Sequence, residues 1–167
     1  INDECDYRFL NGYNNLESNS NKRSDYDFLL KKEDFNNLNH IINKFCQINN
    51  YKIVQIYHQA NFAKNFFVWD PSSYSLLNLD IYGELSINNI LLFNEGEIFD
   101  IKSTYKNILI LRPHQEFVQY FIKKLNKNQI TENVFFILRK LFFEDLFSSK
   151  GVLKIFFKKT YNIIIDS

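Results

Sequence analysis

Two apolar, strand-like runs of this chain carry aspartate in their interior: Asp25-Tyr26-Asp27-Phe28-Leu29-Leu30 and Leu77-Asn78-Leu79-Asp80-Ile81-Tyr82. No other feature constrains the fold as much. Aspartate is disfavoured in strands, and a desolvated carboxylate is costly unless something compensates it. The two-residue period of a strand puts Asp25 and Asp27 on one face, roughly 7 Å apart, with Tyr26 and Phe28 on the other. Carboxylates from neighbouring strands compensate one another when they hold divalent cations, and Mg²⁺ prefers carboxylate and phosphate oxygens. The spacing suits a blander arrangement equally well, with Asp25 capping a loop and Asp27 and Asp80 facing water.

The segments around these runs alternate in period. Cys5 to Leu10 reads as a short aromatic strand that enters a turn at Asn11-Gly12-Tyr13-Asn14-Asn15, and residues 14 to 24 form a polar loop. Glu33 to Cys46 places Phe35, Leu38, Ile41, Ile42 and Phe45 at helical spacing, and Asn49-Asn50 stops that helix. Tyr51 to His58 and Asn61 to Trp69 read as strands. Asp70-Pro71-Ser72-Ser73 has turn chemistry, so Phe62 to Gly83 reads as a hairpin. Strand-like stretches follow around Glu97–Ile101 and Ile108–Leu111, with Gly96 as a break. Pro113 suits a first helical position, and Phe117, Tyr120, Phe121 and Leu125 share the face of the helix it opens. Thr131-Glu132-Asn133 opens a second helix to about Phe147, and Gly151 separates a last segment. The order predicts an α+β fold: a mixed sheet with flanking helices over 1–112, and a helical part, 113–167, packed on it as one compact unit.

Bulk properties narrow the function. A chain of 167 residues fits one domain, and 46% hydrophobic with 23% charged residues is ordinary for a globular protein. Eighteen Phe and ten Tyr supply bulky core pieces or apolar surface that a partner covers. A net charge of +1 argues against bulk nucleic-acid binding, which needs a basic face. Cys5 and Cys46 are too few for a disulfide framework and lack metal-site spacing. Without a signal peptide or long apolar span the chain reads as cytoplasmic. It contains no Met, so the expectation is a domain cut from a longer protein. Lys150, Lys154 and Lys158 recur every four residues among Val152, Leu153, Ile155, Phe156 and Phe157. That pattern suits a terminal helix docking its Phe residues while lysine stems reach water. It also suits a membrane-surface contact or a junction to a neighbouring domain through 150–159. His40, His58 and His114 show no ligand spacing. Walker, nucleophile-elbow and Rossmann signatures are missing.

The acids lie within a longer pattern. Gly12, a polar stretch and then Ser24-Asp25-Tyr26-Asp27-Phe28-Leu29-Leu30 resembles the first motif of the DNA polymerase β-like nucleotidyltransferase superfamily, a glycine turn followed by an Asp-x-Asp pair. Asp80 matches the family's third acid on a later strand. The chain is most similar to small bacterial nucleotidyltransferase-like proteins encoded among capsule or other surface-polysaccharide genes. They share the acidic run, an aromatic hairpin, an Asp-bearing strand matched by Leu79-Asp80-Ile81-Tyr82, and an Arg-Pro-x-x-Glu-Phe helix start matched by Arg112-Pro113-His114-Gln115-Glu116-Phe117. The likeness spans roughly residues 7 to 126.

The resemblance implies a nucleotidyltransferase-like mixed sheet in which Asp25, Asp27 and Asp80 bind Mg²⁺ or Mn²⁺ and form the catalytic set. It implies transfer of a nucleoside monophosphate from an NTP to a hydroxyl of a small-molecule or glycan acceptor, a sugar or polyol by analogy of gene context. Gly12 marks the turn where phosphates approach. Tyr13 stands where the family usually has a small residue, so its ring either stacks on the nucleotide or plugs the phosphate site. The second outcome corresponds to a catalytically silent module that binds a nucleotide, sugar phosphate or protein within a larger polysaccharide synthase. Lys22, Arg23 and Ser24 lie beside the acids, where a basic pair can steady phosphates, and equally suit a solvated loop. Lys123 falls on the helix after Pro113, where related folds face a basic residue to the nucleotide; plain surface lysines at 123 and 124 fit as well.

Overall fold

The structure, a computed structural model, describes residues 5–11, 25–87 and 90–161. Its strands in chain order are β1 (Tyr7–Asn11), β2 (Asp25–Leu30), β3 (Lys52–Ala60), β4 (Ala63–Asp70), β5 (Ser75–Tyr82), β6 (Ser86–Ile87), β7 (Ile90–Leu91), β8 (Ser103–Tyr105) and β9 (Ile108–Ile110). The helices are α1 (Lys32–Asn36), α2 (Leu38–Asn49), α3 (Glu95–Phe99), α4 (Pro113–Asn126), α5 (Glu132–Glu144) and α6 (Leu146–Tyr161). Seven strands form one mixed sheet in the order β3-β4-β5-β2-β1-β9-β8, and β6 and β7 pair separately. The fold is mixed α/β, with six helices among the described residues.

The chain divides into two compact units. The first comprises Ile1–Glu84 and Phe99–Ile110, the second Leu85–Ile98 and Leu111–Ser167. Residues 85–98 therefore group with the C-terminal helices instead of with the sheet.

In the first unit β2 runs parallel to β5 and antiparallel to β1, whereas β3, β4 and β5 form an antiparallel meander. Alternation decides which side of the sheet is covered. Tyr7, Leu30, Phe66, Val68, Leu79 and Ile81 pack with Phe35 of α1 and Leu38, Ile42 and Cys46 of α2 into one buried cluster. Complete burial of a side chain like Phe66, which is fully inaccessible, contributes roughly 1.5–3 kcal/mol. Gly83 lies under α1: a Cβ there would come within 2.6 Å of Phe35 Cγ. The β4–β5 turn is tied by Asp70, whose Oδ1 accepts from the Ser72 amide at 2.8 Å and whose Oδ2 accepts from Ser73 Oγ at 2.5 Å. Those hydroxyls hold the Asp70 carboxyl down to about 2.

Several predicted boundaries shift. The helix expected over 33–46 is two helices, interrupted at Asn37, whose Nδ2 donates to Glu33 O at 3.3 Å and competes with the helical ladder. Asn50 ends α2 in the left-handed region at φ 56°. The strand expected around Glu97–Ile101 is instead α3. Asn94 Oδ1 accepts from the Glu97 amide at 2.9 Å and Glu97 Oε2 accepts from the Asn94 amide at 2.7 Å, a reciprocal capping box. Gly151 does not separate the last segment; α6 runs through it.

In the second unit, Thr131 Oγ1 accepts from the Val134 amide at 3.4 Å and caps α5. Arg112 and Gln115 hold the start of α4 by donating to Glu97 O at 2.5 and 2.7 Å. His114 Nδ1 lies 2.6 Å from Asp145 Oδ2, where α5 gives way to α6. Burial keeps the His114 imidazole below its ordinary range and neutral at pH 7, against the pull of Asp145. Within α6 Phe156 is buried, Lys150 and Lys158 are exposed, and Lys154 is half-buried. Phe135, Phe136 and Phe143 on α5 and Phe147 on α6 are exposed. Among the described residues no helix is long and apolar enough to cross a membrane.

Candidate functional site

The face of the first unit's sheet opposite α1 and α2 carries the acids. The parallel register pairs Asp25 with Asn78 and Asp27 with Asp80. Paired residues project to the same face, so Asp25, Asp27, Asn78 and Asp80 share one. The next strand continues both rows, with Phe67 beside Asn78 and Asn65 beside Asp80. The edge strand completes them with Gln55 beside Phe67 and Tyr57 beside Asn65. Two cross-strand rows result: Asp25–Asn78–Phe67–Gln55 and Asp27–Asp80–Asn65–Tyr57.

Amides orient the carboxylates. Asn78 Nδ2 donates to Asp25 Oδ1 at 2.7 Å. Asn65 Nδ2 donates to Asp80 Oδ1, and Gln59 Nε2 donates to the same oxygen at 3.3 Å. Asp27 is buried, Asp80 half-buried and Asp25 exposed. Tyr82, two residues beyond Asp80, is pushed well above the ordinary phenol range by burial and then by the charges of Asp27 and Asp80. It is therefore a hydrogen-bond donor at every physiological pH and not a base.

The predicted residues divide as follows. Asp25, Asp27 and Asp80 come to one face of one unit. Gly12, Tyr13, Lys22, Arg23 and Ser24 lie outside the described residues. Lys123 is half-buried on α4, in the second unit, where its neighbour Lys124 stands 5.4 Å from the Tyr120 ring centroid. Four residues of the site were not predicted: Gln59, Asn65, Asn78 and Tyr82. Three carry a readable signal. Asn78 and Tyr82 sit two residues either side of Asp80, and Asn65 interrupts an apolar strand as Asp80 does.

Among the described residues no group of three or more His, Cys, Asp or Glu side chains is gathered to hold a metal ion. The donor chemistry nevertheless fits a hard cation. Asn65 Oδ1 and Asn78 Oδ1 are buried without a hydrogen-bond partner among the described residues, next to Asp80 and Asp25. Carboxylate and amide oxygens are the ligands Mg²⁺ takes, and it commonly uses only one or two protein carboxylates, with substrate phosphates supplying others. Comparison of the chain with family models, curated proteins and solved structures returns no significant match.

Proposed function

We propose that this chain is a Mg²⁺-dependent nucleotidyltransferase that moves a nucleoside monophosphate from an NTP to an acceptor hydroxyl of a sugar or polyol. The observation that supports it is the parallel β2–β5 register, which sets Asp27 directly opposite Asp80 on the face that holds Asp25. In this reading Asp25, Asp27 and Asp80 hold Mg²⁺ or Mn²⁺. The bound cation supplies charge neutralisation at the phosphates and acidifies the acceptor hydroxyl. The acceptor oxygen forms a bond to the α-phosphorus while the bond to pyrophosphate breaks. Asp80 accepts the hydrogen bond of the attacking hydroxyl and takes its proton. Asn65 and Gln59, by donating to Asp80 Oδ1, hold that carboxylate in one orientation. Tyr82 stays protonated beside the acids and offers a donor to a developing negative charge.

Pyrophosphate release with each of the four NTPs, Mg²⁺ and a panel of glycosides and polyols tests this. The wild type turns over, and Asp27→Asn reduces the rate by about 10²–10³-fold or more. Mg²⁺ at roughly 100 times its Kd also stabilises the wild type by about 2.7 kcal/mol, and the variant loses that shift. An equal shift in both proteins moves the cation elsewhere and ends the assignment. The amides already bonded to Asp25 and Asp80 favour one second reading, a silent module of the same fold. NTP binding by calorimetry without pyrophosphate release is its signature.

A further inference from the structure

The two cross-strand rows do not stop at the acids. Beyond Asp80 they run across β4 and onto β3 through Asn65, Phe67, Tyr57 and Gln55. Gln59 reaches back from the same strand to Asp80. Tyr57 is 57% exposed, on the same face as the acids. Two strand spacings of roughly 4.8 Å put it about 10 Å from the strand of Asp80, the span of one six-membered ring with its hydroxyls. Phe67 is half-buried beside it, and Gln55 and Gln59 are exposed.

We infer that this β3–β4 surface is the acceptor subsite and that its ligand is the pyranose ring of a neutral sugar, lying flat against Tyr57 with Gln55 and Gln59 on its hydroxyls. This rests on the nucleotidyltransferase reading for the ligand's role as acceptor, but not for its binding. Three properties of the surface select the ligand. The five side chains Gln55, Tyr57, Gln59, Asn65 and Phe67 bear no charge, so a phosphate or carboxylate finds no ion partner among them; Lys52 stands one row further out, opposite Trp69. A carboxamide both donates and accepts, as each sugar hydroxyl does, so adjacent hydroxyls and an amide satisfy one another. An aromatic face offers apolar area that matches the C–H face of a pyranose, which an open-chain polyol does not present. The order of the strands supplies the function. Asp80 stands between Asp25 and Asp27 on one side and the amide-aromatic surface on the other. A ring seated there presents a hydroxyl to Asp80 Oδ without displacing β2.

Trp69, the only tryptophan of the chain, follows Phe67 by two residues on the same face and meets Tyr74 edge-on at 6.2 Å. Its emission therefore reports on this surface. The experiment titrates the full chain, without NTP or metal, with the methyl glycosides of glucose, galactose, mannose and N-acetylglucosamine, and with ribitol and uridine as comparators. Saturation-transfer NMR runs in parallel. At least one glycoside gives a saturable response, Tyr57→Ala weakens it by about tenfold or more, Gln55→Ala weakens it less, and Asp27→Asn leaves it intact. A cooperative thermal melt of Tyr57→Ala with the wild-type circular-dichroism spectrum, in metal-free buffer, shows that this variant folds. No response by either method to any glycoside overturns the inference, as does a response that persists in Tyr57→Ala. A Tyr57-dependent response to uridine that exceeds those to the glycosides also overturns it, and makes the surface a base platform. Because these readouts need neither metal nor turnover, loss of sugar binding and loss of the enzyme reading are separate outcomes.

Discussion

The two faces of one sheet divide the work of the first unit. On the covered side Phe66, Val68, Leu79 and Ile81 join Phe35, Leu38 and Ile42 in a continuous apolar cluster. On the other side the residues one step along the same strands are Asn65, Phe67, Asn78 and Asp80. Phe67, Asn78 and Asp80 are half-buried where the covered set is buried, but burial is not the whole difference, since Phe66 is 0% exposed and its neighbour Asn65 only 6%. What separates them is the kind of compensation. Apolar atoms gain by leaving water, whereas each buried polar atom needs a partner, and Asn65 Oδ1 and Asn78 Oδ1 have none among the described residues. The covered face stabilises the fold, and the polar face is tolerated because the other is strong.

Three substitutions sharpen or break that contrast. Phe66→Ala opens a cavity between sheet and helices and costs about 3–5 kcal/mol, measured by urea denaturation. A loss below 1 kcal/mol would mean that α1 and α2 do not depend on this face. Gly83→Ala pushes a methyl group into the Phe35 ring, 2.6 Å away at Cγ and 2.8 Å at Cδ1. Overpacking of that kind costs about 1–3 kcal/mol, and Gly83→Ala combined with Phe35→Leu recovers part of it. Asp27→Asn, on the polar face, has the smallest effect in metal-free buffer. Stability stays level or rises by up to ~1 kcal/mol, the usual trade at a functional site. A loss of several kcal/mol would instead make Asp27 a structural residue held by its neighbours.

Much of this division is written locally. A period of two through 25–30 and 75–82 places the aspartates on one side and their apolar neighbours on the other, and turn residues at 70–73 join the β4–β5 hairpin. The parallel neighbourhood of β2 and β5 is not local. The pair is about fifty residues apart, and the sheet order, not any spacing, brings Asp27 opposite Asp80. The amides of the site were harder to read for the same reason: Gln59 acts on Asp80 across two strand boundaries. Over 95–99 a specific local signal outranks the apolar pattern. Phe99 and Ile101 flank Asp100 as in a strand, yet Asn94 and Glu97 form a capping box that commits 95–99 to a helix. Gly151 reads as a break in the sequence, but one glycine costs a helix only about 1 kcal/mol, and α6 has sixteen residues over which to absorb it.

The outer edge of the sheet bears on another matter, whether copies of the molecule can add to one another strand by strand. β3 is nine residues long, ends the sheet, and exposes Val54, Ile56 and Tyr57. A long, sticky edge of that kind invites strand-by-strand growth. Its pairing with β4 slips between Ile53 and Gln55 and again between His58 and Ala60. Such bulges bend a strand and increase its twist, so an arriving strand meets a regular ladder only along the four residues from Gln55 to His58. The surface can remain open to a small ring while an extended chain finds too short a template, and the sheet ends there as a capped polymer does.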